Sequence, residues 1–289
     1  MPTATPVLSS VRGGEETEPV GARRGRGILT GIAGGSFSGL TGVGGGAVMV
    51  PLLTGQLRLG QHRAHGTSLA IIIFIAMAGV VGYWRAGNID WGLVLALAPG
   101  AVVGVYAGAK AMVRVPALQL RLLFGAFLFF VAFRQLVWHI SAGTPQTGTM
   151  GRLIEVVFGF AGGLLAGTLG VGGGAVFVPA ILIFGLADTA SGGDAQKVAQ
   201  GVSLVVIIST GIFGTLTNYR QGTVDVDVVR LVTPPAVIAA FVAALFANEV
   251  SDDALRYIYG IVALFLGAQI IFNTVRDLRA RRAIEPEAA

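Results

Sequence analysis

Long apolar stretches, separated by short polar connections, occupy most of the chain. A membrane-crossing helix needs roughly 20 apolar residues, so most of these stretches fit one crossing each. Seven of them carry no Asp, Glu, Lys or Arg, namely 27–57, 64–84, 91–109, 156–187, 198–219, 231–248 and 257–275. An eighth, at about 117–140, is apolar but contains Arg121 and Arg134. The pattern predicts an all-α polytopic membrane protein.

The apolar stretches form two copies of one unit, at residues 31–134 and 159–269. The first part of the unit recurs at an offset of 128 positions (170 minus 42), and after seven extra residues the offset is 135 (199 minus 64). The pairs that fix this alignment are Gly42–Gly46 with Gly170–Gly174, Pro51 with Pro179, and Ala64–Leu69 with Ala199–Leu204. A duplicated hydrophobic bundle that is broken at equivalent points is typical of secondary transporters.

Composition divides the chain into two homologous repeats of about four hydrophobic segments each, flanked by polar tails. The N-terminal residues are rich in Pro, Gly, Glu and Arg, which favours disorder. The predicted parts are a disordered cytoplasmic tail at 1–26, a first transmembrane repeat at 27–140, a linker at 141–152, a second transmembrane repeat at 153–276 and a cytoplasmic tail at 277–289.

Two uncharged stretches are too long for one crossing, since 27–57 has 31 residues and 156–187 has 32. Each is either one helix with an unwound centre or a re-entrant hairpin that enters and leaves by the same face. With eight full crossings, 13 of the 20 basic residues lie inside; with re-entrant first segments, 15 do. The positive-inside rule therefore favours re-entrant segments and inverted repeats. Both arrangements place the two termini in the cytoplasm.

Composition supports a membrane location and excludes several functions. Of the 289 residues, 54% are hydrophobic and 12% charged, and the mean hydropathy is +0.76. Soluble domains carry about 25% charged residues. The chain has no cysteine, which excludes disulfides and thiol chemistry. The net charge of +5 lies on short loops and tails, where it indicates topology rather than nucleic-acid binding.

Each long stretch is interrupted near its middle by Gly-Val-Gly-Gly-Gly. Three adjacent glycines weaken a helix and allow another backbone or a ligand to approach closely. The helix that resumes after each break presents free N–H groups and a partial positive charge, which bind anions. The candidate binding glycines are Gly42, Gly44, Gly45, Gly46, Gly170, Gly172, Gly173 and Gly174. The alternative is that the glycines serve close helix packing, as in Gly35-x-x-x-Gly39 and Gly163-x-x-x-Gly167.

Polar residues occur at equivalent points after the two breaks. His65 pairs with Gln200, and Ser68 pairs with Ser203, near the start of the next apolar segment. These four side chains are candidate substrate ligands, with helix capping as the alternative. The apolar segments contain no carboxylate pair, His–Glu cluster or Ser–His–Asp arrangement. We therefore expect no enzyme activity, no metal site and no cofactor.

The run Gly-Leu-Thr-Gly-Val-Gly-Gly-Gly-Ala-Val-Met-Val-Pro at 39–51, repeated in similar form at 167–179, resembles the signature of the TauE/SafE family. These are membrane permeases associated with sulfite, sulfonates and related sulfur-containing anions. The resemblance covers about 28–276 and implies a secondary carrier for a small anion without ATP hydrolysis. The seven extra residues near 187–196 depart from the repeat and leave the function of that loop open.

The sequence therefore predicts an inner-membrane, multi-pass permease that moves sulfite or an organosulfonate by alternating access. Its expected partners are the small anion and the lipid bilayer, with a homo-oligomer possible and no nucleic acid. Two alternatives remain open: a carrier of another small organic anion with the same architecture, and a membrane partner or sensor subunit that transports nothing.

Overall fold

The computed structural model describes residues 20–111, 117–137, 149–170, 172–183 and 194–284. These ranges form α-helices joined by short connections and contain no strand. The helices are α1 Val20–Thr41, α2 Gly46–Gly55, α3 Gln61–Arg85, α4 Trp91–Ala111, α5 Ala117–Val137, α6 Thr149–Leu169, α7 Gly174–Ile183, α8 Ala195–Arg220, α9 Val226–Glu249 and α10 Asp252–Ile284.

Among the described helices, six are long and apolar enough to cross a membrane: α3, α4, α6, α8, α9 and α10. Helix α1 is not one of them, since Arg23, Arg24 and Arg26 lie in its first turns. The prediction of an all-α polytopic membrane protein is confirmed. Each predicted repeat corresponds to five helices, because its long first segment is divided into two.

That first segment folds as an antiparallel hairpin in both halves. In the hairpin of α1 and α2, the guanidinium of Arg26 donates to the carbonyl oxygen of Gln56 at 3.3 Å, and the Thr30 hydroxyl lies 3.1 Å from its Oε1. Gly34 packs against the Met49 side chain nearer the tip. In the hairpin of α6 and α7, Gly162 packs against Phe177 in the same way. In the first hairpin, the N-terminal part of α1 thus lies beside the end of α2.

The first helix of each hairpin packs in parallel against a helix of the other half. Helix α1 follows α9, and glycines on α1 leave no room for a side chain beside the carbonyl oxygens of Ala236 and Ala240. Helix α6 follows α4 with the same spacing, beside the carbonyl oxygens of Ala101 and Val105. The glycines concerned are Gly35 and Gly39 on α1 and Gly163 and Gly167 on α6. This geometry agrees with the packing interpretation of the two Gly-x-x-x-Gly pairs.

The central helices α3 and α8 run antiparallel. Gly79 of α3 faces Leu204, and Gly214 of α8 faces Leu69, so the start of each helix lies beside the end of the other. Helices α5 and α10 are antiparallel as well, with Gly125 beside Ile271. In these two pairs, the helices at equivalent positions of the two halves run in opposite directions. We call the side on which α1 begins the N-terminal face and the other side the opposite face.

The outer helices extend beyond the predicted membrane boundaries. Helix α1 begins at Val20, inside the predicted tail 1–26, and α10 continues to Ile284, past the boundary at 276. Arginine is a good helix former, so a helix continues readily into water where its sequence becomes basic. The predictions for residues 1–19 and 285–289, and most of those for the linker and the seven-residue insertion, lie outside the described residues.

Candidate substrate site

Both glycine runs leave the helical conformation in the same way. In the first, Gly42, Gly44 and Gly45 have φ of 67°, 82° and 72°. In the second, the equivalent glycines 170, 172 and 173 have φ of 66°, 82° and 85°. Residues other than glycine rarely adopt this left-handed backbone conformation, because their Cβ atom clashes with the backbone. The run therefore encodes a fixed backbone turn at each hairpin tip.

Each tip ends at the N-terminus of a short buried helix. The Gly45 carbonyl accepts from the N–H groups of Val48 at 3.1 Å and Met49 at 2.8 Å, which starts α2. The Gly173 carbonyl accepts from Val176 at 2.9 Å and Phe177 at 3.1 Å, which starts α7. The two N–H groups before each of these pairs have no acceptor within their own helix. Such an end carries a partial positive charge of about half an electron.

The two tips meet where α3 and α8 cross. A Cβ placed on Gly44 would lie 2.8 Å from Ile207 and 3.4 Å from Ile72. A Cβ placed on Gly172 would lie 3.5 Å from each of the same two isoleucines. Both isoleucine side chains are completely buried. The sequence-predicted breaks thus converge, but on an apolar centre.

Three side chains of the central helices surround the first break. The Ser203 hydroxyl donates to the carbonyl oxygen of Gly42 at 2.8 Å. The Tyr83 hydroxyl donates to Gln200 Oε1 at 2.8 Å and lies 3.0 Å from the carbonyl oxygen of Gly39. Gln200 packs directly against Gly42, where a Cβ would lie 2.6 Å from the Gln200 Cα. Tyr83, Gln200 and Ser203, which we call the first polar cluster, are completely buried.

His65 and Ser68, which we call the second polar cluster, lie at the other break. His65 Nε2 lies 3.2 Å from the carbonyl oxygen of Thr168. A carbonyl only accepts, so Nε2 carries the hydrogen in this contact. The imidazole covers Gly170, where a Cβ would lie 2.8 Å from Nε2. The Thr210 hydroxyl of α8 donates to the carbonyl oxygen of Gly172 at 3.1 Å.

The two clusters are equivalent in sequence but differ in hydrogen bonding. The Ser203 hydroxyl donates to the first break, whereas the completely buried Ser68 hydroxyl has no hydrogen-bond partner within the part of the chain that the structure describes. Within the same residues, Gln200 Nε2 is also buried without a partner. An unsatisfied buried polar group costs about 1–3 kcal/mol. Both atoms can therefore bond a polar ligand without giving up an existing contact.

The predicted site residues fall into two groups rather than one. Gln200 lies seven positions before Ile207, and His65 lies seven positions before Ile72. At about 1.5 Å of rise per residue, Gln200 and His65 lie roughly 10 Å from the level of the isoleucines, and Ser203 and Ser68 roughly 6 Å, in opposite directions along the antiparallel pair. The first cluster is nearer the opposite face and the second is nearer the N-terminal face.

Sequence reasoning did not select Tyr83, Thr210, Ile72 or Ile207. The two isoleucines occupy equivalent positions, one helical turn after Ser68 and Ser203, and this periodicity was the available signal. Tyr83 is paired with Asn218, so its chemistry is not duplicated. Within the described ranges, no three His, Asp or Glu side chains come together as they would around a metal ion.

Comparison with known proteins identifies relatives that cover most of the chain. A family model described as sulfite exporter TauE/SafE matches residues 27–192 and again 156–288, one match beginning in each hairpin. The probable membrane transporter protein YdhB of Bacillus subtilis is 28% identical over 82% of this chain and 96% of its own length. For YunE of the same organism the identity is 23%, over 86% and 97%. A probable membrane transporter protein of Xylella fastidiosa is 25% identical over 89% and 96%. No solved structure matches the chain.

Proposed function

The chain belongs to the sulfite exporter TauE/SafE family and is a membrane transporter of that type, and from this premise we propose that it carries a small sulfur-containing anion. Sulfite and organosulfonates are the candidate substrates. The transporter moves them across the inner membrane by alternating access, as a secondary carrier that hydrolyses no ATP.

The observation that carries this proposal is the buried half-helix N-terminus that follows each of the two glycine breaks. Amide hydrogens and helix dipoles stabilise an anion without requiring a lysine or arginine inside the bilayer. The unpartnered hydroxyl of Ser68 and amide of Gln200 supply two further donors close to the breaks. Sulfite and sulfonate each present three oxygens, which suit several weak donors better than one fixed charge.

The distribution of basic residues supports re-entrant hairpins and cytoplasmic termini. If each hairpin enters and leaves by one face, the helix directions put few basic residues on the opposite face. These are Arg85, Arg134, Arg152, Lys197 and Arg256. The remaining basic residues, including Arg23, Arg24 and Arg26, then belong to the N-terminal face. Since basic residues concentrate on the cytoplasmic side, we assign the N-terminal face to the cytoplasm.

Flux in reconstituted vesicles tests the substrate. Purified protein in proteoliposomes is expected to move labelled sulfite, or one of a panel of organosulfonates, faster than empty vesicles do. Transport of carboxylates alone would replace the sulfur anion by another organic anion. Absence of flux for every anion would favour a subunit that does not transport.

A glycine variant with a matched control tests the site. Gly45→Val forces a β-branched residue to φ 72°, with the Gly34 carbonyl oxygen 2.8 Å from the new Cβ. Gly87→Val carries similar backbone strain at φ 76°, but in an open turn with nothing within 4 Å. We expect flux to be lost in the first variant and kept in the second. Equal flux in both folded variants would contradict an anion site at the breaks.

A further inference from the structure

One face of each central helix carries the same order of side chains. On α3, His65, Ser68 and Ile72 stand at positions i, i+3 and i+7, which share a helix face. On α8, Gln200, Ser203 and Ile207 repeat this spacing. Because the helices are antiparallel, the shared surface is polar towards each membrane face and apolar in the middle.

The apolar middle is closed in this structure. Ile72 and Ile207 are completely buried, and both press against the two hairpin tips at Gly44 and Gly172. Gly174 fits even more closely, since a Cβ there would lie 2.6 Å from the carbonyl oxygen of Val43. A hydrated anion cannot cross such a contact without losing its water, and the Thr210 hydroxyl at this level already donates to the Gly172 carbonyl oxygen. The isoleucine pair therefore separates the clusters.

We propose that the two polar clusters are two half-sites for a small oxyanion, each reached from one face of the membrane, and that Ile72 and Ile207 form the gate between them. This inference rests on the proposed transport function. It adds two binding positions for the anion and the apolar contact that separates them. At the half-site nearer the opposite face, the unpartnered amide of Gln200 is the donor. At the half-site nearer the N-terminal face, the donor is the unpartnered hydroxyl of Ser68.

Because the chain has no cysteine, single substitutions report accessibility without a background signal. Ser203→Cys and Ser68→Cys are introduced separately, and vesicles of both orientations are treated with a membrane-impermeant methanethiosulfonate reagent. We expect Ser203→Cys to react at least tenfold faster from the opposite face, and Ser68→Cys at least tenfold faster from the N-terminal face. Reaction of both from one face, from both faces equally, or from neither would overturn the proposal.

Removing the gate tests its role directly. In the Ser203→Cys background, Ile72→Ala together with Ile207→Ala is expected to allow modification from both faces at rates within about threefold of each other. Ile75→Ala is the matched control, because Ile75 is equally buried on α3 but packs in a separate apolar cluster away from the tips. If the double variant is still labelled mainly from one face, or if the control is also labelled from both faces, Ile72 and Ile207 are not the gate.

The labelling requires no knowledge of the substrate, so the two proposals fail in different ways. If each cysteine is labelled from its expected face but no sulfur anion is transported, the gate stands and the substrate assignment is wrong. If sulfite is transported but each cysteine is labelled equally from both faces, the substrate assignment stands and the two half-sites are wrong.

Discussion

At the scale of single residues, the two halves of the protein differ where their sequences agree. Ser68 and Ser203 are the same amino acid at equivalent positions, yet only Ser203 is hydrogen bonded to a hairpin tip. A hydroxyl that donates to a buried carbonyl oxygen stabilises the fold, whereas a buried hydroxyl without a partner destabilises it. The sequence predicted both serines as ligands, and of the two only Ser68 has a hydroxyl without a partner among the described residues.

Stability measurements on the two serines separate these roles. Ser203→Ala leaves the Gly42 carbonyl without its 2.8 Å donor, so we expect the free energy of unfolding to fall by about 1–2 kcal/mol. Ser68→Ala removes no hydrogen bond and relieves an unsatisfied buried hydroxyl, so we expect the free energy of unfolding to stay the same or to rise, by up to about 1–3 kcal/mol, while flux falls. Denaturation in detergent, with flux measured in parallel, checks both. Equal destabilisation would show that the two serines are equivalent.

In the proposed half-site, Tyr83 is a positioning residue that acts through Gln200. Its hydroxyl holds Gln200 Oε1 at 2.8 Å, which turns the amide nitrogen away from the tyrosine. Tyr83→Phe frees this amide to rotate, so we expect the KM for the anion to rise several-fold with a smaller change in maximal flux. Tyr106→Phe makes the same chemical change at an exposed residue and serves as the control. A fall in maximal flux with unchanged KM would assign Tyr83 a purely structural role.

At the scale of helices, small residues determine which elements touch. The glycines of α1 and α6 bring each hairpin against a helix of the other half. The packing of each hairpin therefore depends on the other half. This arrangement positions the breaks beside α3 and α8. In lipid, where apolar surface gives no driving force between helices, such close contact is a main source of association.

Substitution of one packing glycine tests this dependence. A Cβ on Gly35 collides with the backbone of Ala236, so Gly35→Val must push α1 away from α9. Overpacking of this kind costs about 1–3 kcal/mol or more, and we expect a lower melting temperature and less monodisperse protein in detergent. Gly25→Val on the same helix has nothing within 4 Å and should behave as the wild type. Comparable losses in both variants would contradict the packing explanation.

At the scale of the whole molecule, helix directions determine on which side of the membrane each loop of the chain lies. The equivalent helices α3 and α8 run in opposite directions, and so do α5 and α10. In secondary transporters built from inverted repeats, the two halves exchange conformations, which is the basis of alternating access. The proposed gate lies at the contact between these halves.

Cysteine labelling of three exposed positions tests on which side of the membrane the connections between helices lie. Gly55→Cys at the end of α2 and Gln221→Cys after α8 are expected to react from the cytoplasmic face, and Ala86→Cys after α3 from the other. The reagent is applied to intact cells and to inverted vesicles. Reaction of Gly55→Cys from the same side as Ala86→Cys would show that the first segment crosses the membrane completely.

The sequence by itself determined the membrane class, the duplication and the positions of both breaks. Apolar length, repeated spacing and glycine runs are local properties, and the bilayer allows few alternatives for them. The resemblance of residues 39–51 to a known signature likewise came from local order. Helix ends were less accurate, because charged sequences such as the start of α1 continue a helix outside the bilayer.

Only the tertiary structure decided how the predicted site residues are grouped. The sequence placed His65, Ser68, Gln200 and Ser203 near two breaks, and a single shared pocket followed naturally. Antiparallel packing of α3 and α8 instead separates the two pairs and places Ile72 and Ile207 between them. Which residues meet depends on the direction and register of contacts between distant segments, and one sequence without its fold contains no direct record of either.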